Sequence, residues 1–230
     1  MDAEGTQPEE TMKRIRILLL LSLLALSTAT KLGGVAYAEM SRSQALMAMQ
    51  SGDAGRRAQG IEQLAHSGRM EDVEALLGAL RDQDRNVRRL AEGAIWSVWL
   101  RSGDPEADAL VREGVARMEA QQMGAALDAF TRAIERRPDF AEAWNKRATA
   151  YFLIGDYDQA LKDCDAALER NPNHFGALAG CGSIYAQRDE LGRALDFLER
   201  AYNLNPNLDG VAAALELVRH RLGRSGRREI

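Results

Sequence analysis

A proline that recurs at a fixed interval is the feature of this chain that most limits its fold. Pro138, Pro172 and Pro206 are separated by 34 residues each time, and the whole chain has only five prolines. Proline ends helices because it has no amide proton and disfavours helical geometry in the residue before it. A period between about 20 and 50 residues is typical of repeat proteins. The interval therefore predicts three units, at residues 107–140, 141–174 and 175–208.

Two further positions follow the same interval. The eighth residue of each unit is small and the twenty-fourth is larger: Gly114, Ala148 and Gly182, then Phe130, Cys164 and Leu198. Small residues at these places allow two helices to pack closely. In the middle unit we expect helices over about residues 141–154 and 157–170, with Gly155 ending the first in the left-handed conformation.

The middle unit resembles the tetratricopeptide repeat family. The residues at the characteristic offsets of that family are Trp144, Tyr151, Gly155, Tyr157, Ala160 and Pro172. The resemblance covers residues 107–208 and implies an all-α fold, a right-handed helical-repeat solenoid of antiparallel helix pairs. Glu113 and Arg117 depart from it, since the family prefers leucine and tyrosine there. We therefore expect the first unit to pack against something unlike another copy of itself.

Residues 209–230 are predicted to be a cap helix and a basic tail. Apolar residues at helical spacing run from Leu208 to Leu222, and arginines follow to Arg228. A repeat array needs such a cap because its last unit has no neighbour. The arginines are interpreted as a solvated tail, with contact to anionic lipid or an acidic partner as the alternative.

Residues 39–104 have a different pattern and are predicted to be a separate helical segment. Six residues resemble the short, lyase-associated kind of HEAT repeat: Leu80, Asp82, Asp84, Val87, Arg88 and Ala91. A weaker copy lies 31 residues upstream: Asp53, Arg57, Gly60 and Leu64. The aspartate before each helix is suited to capping its free amides. A generic helical hairpin is the alternative.

The beginning of the chain, residues 1–38, predicts a signal peptide that starts at Met12. Basic residues from Lys13 to Arg16 precede an apolar core over about residues 17–29, and Ala36-Tyr37-Ala38 precedes Glu39. These are the parts of a secretory signal, and the core is shorter than the ~20 residues of a membrane span. We expect export, to the periplasm or cell envelope if the source is bacterial. Cleavage after Ala29 and an uncleaved signal anchor are the alternatives.

Charge and cysteine content narrow the function classes. Removing residues 1–38 takes away four basic and four acidic residues, so the net charge stays at −4. Nucleic-acid binding asks for a basic face, and we expect none. Cys164 and Cys181 are the only cysteines. An exported protein can keep a disulfide, but the family fills both positions with apolar residues, so two free buried thiols are the preferred prediction.

No pattern of catalytic residues stands out. His66, His174 and His220 have no metal-ligand spacing, and each is interpreted as a capping or surface residue. We find no glycine-rich phosphate loop and no predicted strand. The sequence therefore predicts a non-enzymatic protein with no cofactor and no metal site.

The predicted function is a protein-protein interaction scaffold or adaptor. The resemblance implies that the first helix of each unit lines a concave groove, and we expect a partner segment to contact Val111, Val115, Met118, Asn145, Thr149, Phe152 and Ser183. Phe152 packing only between units is the alternative for that residue. Gly176 and Ala179 stand where a carboxylate clamp needs basic residues, so a clamp is not expected.

Other interpretations stay open at this point. An accessory subunit of an envelope-associated enzyme or assembly complex is the alternative function, with the repeats used for docking. Membrane contact is expected only through an uncleaved signal. If the groove does not bind, the front surface around Trp96 and Trp99 is the next candidate.

Overall fold

The computed structural model describes residues 40–225, and the predicted signal peptide and the end of the basic tail lie outside them. The regular structure in the described part of the chain is entirely helical. In chain order the helices are α1 (Arg42–Ala48), α2 (Ala54–Ser67), a 3-10 turn (Met70–Asp72), α3 (Val73–Ala79), α4 (Arg85–Trp99), α5 (Pro105–Glu119), α6 (Met123–Arg136), α7 (Ala141–Ile154), α8 (Tyr157–Arg170), α9 (Phe175–Gln187), α10 (Leu191–Leu204) and α11 (Asp209–Ser225). Helices α5 to α10 form three successive pairs, which we call the repeat array.

The turn inside each pair shows why one unit carries glycine. Helices α7 and α8 have the bounds predicted from the sequence, and Gly155 between them has a φ of 84°. Gln121 and Asp189, at the same position of the other units, also take the left-handed conformation, with φ of 61° and 62°. That conformation is comfortable for glycine and costs about 1 kcal/mol or more for a residue with a Cβ.

The small eighth position of each unit faces the larger twenty-fourth position, as predicted. A Cβ atom added to Gly114 would lie 2.4 Å from the Phe130 ring, and one added to Gly182 would lie 2.7 Å from Leu198. In the middle unit Ala148 packs in one buried cluster with Cys164. Because these positions are complementary in size, the two helices of a unit approach closely enough to exclude water between them.

The two cysteines form a disulfide, so the preferred prediction of free thiols was wrong. Cys164 on α8 and Cys181 on α9 are bonded, with their Cα atoms 6.0 Å apart. This separation is ordinary for a disulfide. The family pattern did not predict the bond, because apolar residues usually occupy both positions. A contact between neighbouring units also leaves no local signal in the sequence.

The first unit receives Leu100 of the front end on its core, but not through the two residues on which the prediction was based. Glu113 and Arg117 are exposed and form a loose ion pair at 3.5 Å instead of packing against another element. Arg147, the middle unit's residue at the position of Glu113, points between its two helices. It binds Asp163 with two hydrogen bonds of 2.7 and 2.8 Å. Polar residues therefore replace leucine for two different local reasons.

Residues 40–100, which we call the front end, contain two helices that begin in the same way. Asp53 caps α2 and Asp84 caps α4 through their carboxylates. The arginine four residues later donates back to the carbonyls before the cap in both cases: Arg57 to Ser51 and Gly52, and Arg88 to Asp82 and Gln83. Arg57 also binds the Asp82 carboxylate of the following pair. The weak sequence repeat thus corresponds to a repeated local geometry.

The last described helix, α11, covers the end of the repeat array. Its apolar residues Val211, Leu215 and Val218 are buried against the third unit. The cap helix therefore lies where the sequence predicted it. Among residues 40–225, no helix has both the length and the apolar character needed to cross a membrane.

Candidate functional site

The first helices of the three units, α5, α7 and α9, contact one another in order along the array. Of the seven predicted partner-binding residues, three are partly exposed: Val115 and Met118 on α5, and Thr149 on α7. The other four are buried: Val111, Asn145, Phe152 and Ser183. The accessible residues of the predicted groove therefore lie on the first helices of the first and second units.

Phe152 does not offer an exposed anchor. Only 7% of it is exposed, and it packs with Ala160 and Ile184 in a cluster that joins α7, α8 and α9. Its ring also lies 5.8 Å from that of Tyr157. The structure thus places Phe152 between units, which was the alternative for this residue, and the expectation that it binds a partner is corrected.

Asn145 and Ser183 are also unavailable to a partner. The Asn145 amide donates to the Glu142 carboxylate at 2.9 Å, and the Ser183 hydroxyl donates to the Ala179 carbonyl at 2.8 Å. Both residues are below 7% exposed. Both side chains are buried and hydrogen-bonded within the protein, so the expectation that they contact a partner segment is corrected.

A buried charged cluster lies at the amino-terminal ends of α7 and α9. Glu142 is 1% exposed and pairs with Lys146 at 3.1 Å. It also lies 2.8 Å from Nε2 of His174, which is completely buried. Since Nδ1 of His174 accepts the Ala177 amide at 3.2 Å, Nε2 carries the ring proton and donates it to Glu142. His174 is therefore a capping residue, as predicted, but a buried one.

The cluster holds Glu142 in its ionised form. Burial by itself opposes ionisation, but the Lys146 charge and the hydrogen bonds from His174 and Asn145 outweigh it and lower the pKa of Glu142 to about 2. A buried carboxylate is tolerated only when it is paired and hydrogen-bonded in this way. The cluster is therefore a fixed charge arrangement at neutral pH.

Two tryptophans of the front end cover this cluster. Trp96 and Trp99 lie three residues apart on α4 and so share one face of that helix. The Trp99 ring stacks on His174 with centroids 4.1 Å apart. The Trp96 ring meets Phe175 edge-on at 5.3 Å, and the Lys146 ammonium lies 5.3 Å from its centroid. We call the four array residues that receive these rings the tryptophan seat: Lys146, His174, Phe175 and Gly176.

Gly176 is part of the seat because it has no side chain. A Cβ atom at this position would lie 2.5 Å from Cη2 of Trp96, which is closer than real atoms approach. Gly180, one turn later on α9, has open space around its missing Cβ. Glycine at position 176 is thus required by the front end and not by the repeat itself.

The contact between front end and array continues to the loop before α11. Arg88 donates to the Asn207 side chain at 3.2 Å, and Asn207 donates to the Leu80 carbonyl at 2.8 Å. Arg81 donates to the Asn203 carbonyl. The Asn207 side chain accepts from Nε of Arg88, and the Asp82 carboxylate likewise accepts from Nε of Arg57.

Helix α4 therefore lies across the array, from the loop before α11 to α7. Sequence reasoning missed the seat, although it named Trp96 and Trp99 as a fallback surface. The signal that was available is Gly176, a glycine in a predicted helix at a position where the repeat alone demands none. Among residues 40–225, no cluster of three or more histidine, cysteine or acidic side chains is placed to bind a metal ion.

Comparison with known proteins identifies the repeats. Family models described as tetratricopeptide repeat match residues 141–174 and 108–139. A TPR repeat-containing protein of Rhizobium etli is 32% identical over 126 residues, which are 55% of this chain and 62% of that protein. The chain thus spans less than two thirds of that relative. The matched units and the helix pairs agree, so the chain carries tetratricopeptide repeats.

Solved structures agree with the fold. The Sgt2 TPR domain of Aspergillus fumigatus is 25% identical with a TM-score of 0.52, over 54% of this chain and 83% of that domain. The first TPR of Spaghetti (RPAP3), solved with the HSP90 peptide SRMEEVD, is 24% identical with a TM-score of 0.50, over 51% of this chain and 94% of the other. The array is therefore a helical-repeat solenoid of this kind.

Proposed function

We propose that this protein is an exported, non-enzymatic scaffold that binds a segment of a partner protein on the open part of its inner face. The observation that carries the proposal is the partial exposure of Val115, Met118 and Thr149 on the neighbouring first helices α5 and α7. Apolar groups beside a few polar ones are what a recognition surface needs. Solenoids of stacked helix pairs use such inner surfaces for binding.

A protein segment is the occupant that fits this surface. The RPAP3 domain, which shares the fold, holds a short peptide in its structure. The chain's net charge of −4 argues against nucleic acid. A carboxylate clamp is not part of the proposal, because Lys146 is buried and paired with Glu142. The expected partner segment is therefore mildly apolar and not defined by a terminal carboxylate.

Substituting Met118 tests the proposal. The Met118→Lys variant places a charge on the apolar surface, and we expect it to lose the partner that the wild-type protein captures from its own cell envelope. Ala116→Lys is the matched control, since Ala116 is exposed on the same helix. Ala116→Lys should melt within ~2 °C of the wild type, because exposed substitutions change stability little. Met118 packs partly against the core of the first unit, so the helicity of Met118→Lys is measured to show that this variant stays folded. Equal capture by both variants, read by mass spectrometry, would contradict the proposal.

Export is supported by the leader sequence and by the disulfide. Disulfides persist in oxidising compartments and are rare in the cytosol, and Cys164 and Cys181 are bonded. We expect a mature amino terminus at Glu39. Sequencing the protein recovered from the envelope tests this, and a cytoplasmic chain that still carries Lys13 to Arg16 would contradict it.

The front end is proposed to be a HEAT-like element that adapts the array to its surroundings. The equivalent caps Asp53 and Asp84 and the equivalent arginines Arg57 and Arg88 support this assignment. In this proposal the array takes the place of the next front-end pair. A purely generic hairpin would give no reason for both arginines to bind the loop before their own helix.

A further inference from the structure

The front end has an extensive buried core, to which the array contributes Phe175, and the chain passes between the two parts through one short segment. Ile61, Leu64, Leu76 and Ile95 are all fully buried within it. Arg101 donates to the carbonyls of Ala65 and Gly68 and to that of Leu64, so the chain stays fixed to the front end up to that residue. The array begins at Asp104, which caps α5. Residues 102 and 103 lie between the two parts.

The joining segment contains a residue suited to a change of direction. Gly103 has a φ of 80°, which only glycine adopts without strain. The Ser102 hydroxyl binds Asp108 at 2.6 Å, so Ser102 is held by the array. A rotation at Gly103 would therefore move the front end as a body: it would break the contacts with Phe175 and Asn207 and keep the hydrogen bonds within each part.

The surface that α4 covers is unusual because it is charged as well as aromatic. Glu142, Lys146 and His174 are each less than 8% exposed in the closed molecule. When α4 moves away, water reaches these groups and solvates them. The exposed surface is then not a bare apolar core, so separation costs less than it would for a purely apolar interface.

We propose that the tryptophan seat is an exchangeable docking site for an amphipathic helix that carries two tryptophans three residues apart. In the closed molecule α4 fills the seat. A partner helix of the same chemistry occupies it when the front end swings away at Gly103. This goes beyond the proposed function, since the seat lies at a different part of the array from Val115 and Met118.

The chemistry of the seat defines that helix. His174 offers a flat ring for stacking, and Lys146 offers a cation to the face of a second ring. Because Gly176 has no side chain, the edge of an indole ring fits against its backbone. A side chain at position 176 would clash with that ring. A helix with leucine at both positions fills the space but makes neither the stacking nor the cation–π contact.

A peptide with the sequence of residues 85–99 provides the probe. We expect a labelled peptide to bind the full chain carrying Trp96→Ala and Trp99→Ala at least tenfold more tightly than the wild-type chain, where α4 competes. A peptide with both tryptophans replaced by alanine should not bind. Adding Gly176→Ala to the opened chain should abolish binding, and adding Gly180→Ala should not. Equal binding to opened and wild-type chains, or no effect of Gly176→Ala, would overturn the proposal.

A second measurement covers the case in which the opened chain folds poorly. In the otherwise wild-type chain, Gly176→Ala places a methyl group against Trp96 without weakening α9, because alanine favours helix. We expect faster hydrogen exchange at the surface of α4 facing the array, with the front-end core around Ile61 and Leu64 still protected. Gly180→Ala is the control and should leave exchange unchanged. Unchanged exchange in Gly176→Ala would overturn the proposal.

Discussion

The two ends of the inner face differ in what covers them. At the first unit, Val115 and Met118 are partly exposed and their charged neighbours Glu113 and Arg117 are in solvent. At the second and third units, α4 covers the amino-terminal ends of α7 and α9, where the charged residues Glu142 and Lys146 are buried. The same repeat geometry thus produces an open surface at one end and an internal interface at the other.

This difference shows where a repeat pattern stops predicting accessibility. The interval of 34 residues determines which positions face inward in every unit, and it does so equally for Met118 and Phe152. Whether such a position meets water depends on contacts that the interval does not report, since Phe152 is buried against Ala160 and Ile184. At the amino-terminal ends of α7 and α9, the covering segment is α4, whose tryptophans meet residues more than 45 positions later in the chain.

Removing the charge of Glu142 should have the largest effect on the covered end. Glu142→Gln leaves Lys146 buried without its anionic partner, and we expect a loss of about 3 kcal/mol in the free energy of unfolding at pH 7. The matched change at the open end, Glu113→Gln, removes an exposed pair and should cost less than ~0.5 kcal/mol. Chemical denaturation of both variants measures the two values.

The effect of Glu142→Gln should depend on pH. The pKa of Glu142 is lowered to about 2 in the folded protein from an ordinary 4.5. A lowered carboxyl pKa stabilises the fold above its unfolded value and loses that contribution as pH falls towards the folded value. The difference between wild type and variant should therefore shrink from pH 4.5 to pH 2. A difference that stays constant over this range would show that the charge of Glu142 does not stabilise the covered end.

Local signals predicted most of the array. The helix bounds of α7 and α8, the turn at Gly155 and the pairing of Gly114 with Phe130 each depend on neighbours within one unit. A sequence reports these because the same short-range constraint is repeated three times. The caps Asp53 and Asp84 were predictable because each acts on the first turn of the helix that directly follows it.

Long-range contacts were the part that sequence reasoning missed. The bond between Cys164 and Cys181 joins two units, and the stack of Trp99 on His174 joins the front end to the array. Neither contact recurs at a fixed interval in the sequence, since each occurs only once. The loss of Phe152 as a candidate partner residue follows from such a contact, with Ile184, whereas Asn145 is lost to a local hydrogen bond with Glu142 on the same helix.

Removing the disulfide should weaken the covered end selectively. Cys164 and Cys181 close a loop of 17 residues, for which the loss of loop-closure entropy predicts about 3 kcal/mol of stabilisation, usually less in practice. We expect the Cys164→Ala, Cys181→Ala variant to unfold at lower denaturant, with faster hydrogen exchange in α8 and α9 than in α5 and α6.

Reduction provides the control for that variant. A reducing agent should lower the stability of the wild type towards that of the double variant and leave the double variant unchanged. Thiol counting under denaturing conditions should give no free thiol before reduction and two afterwards. Two free thiols in the protein as isolated would contradict the bond, and equal exchange along the whole array would contradict its confinement to the covered end.

The smallest effect is expected at the open end, in the turn between α5 and α6. Gln121 holds a left-handed conformation with φ of 61°, at the position where the middle unit has Gly155. Replacing Gln121 by glycine removes the clash of its Cβ, although glycine also gains freedom in the unfolded chain. We expect a net stabilisation of about 0.5 kcal/mol, measured as a higher denaturation midpoint. Asp189→Gly tests the same turn in the third unit, but there the change also removes the 2.7 Å ion pair with Arg221. Gln121→Gly should therefore stabilise the protein more than Asp189→Gly, and the reverse order would show that the two turns do not share one conformational cause.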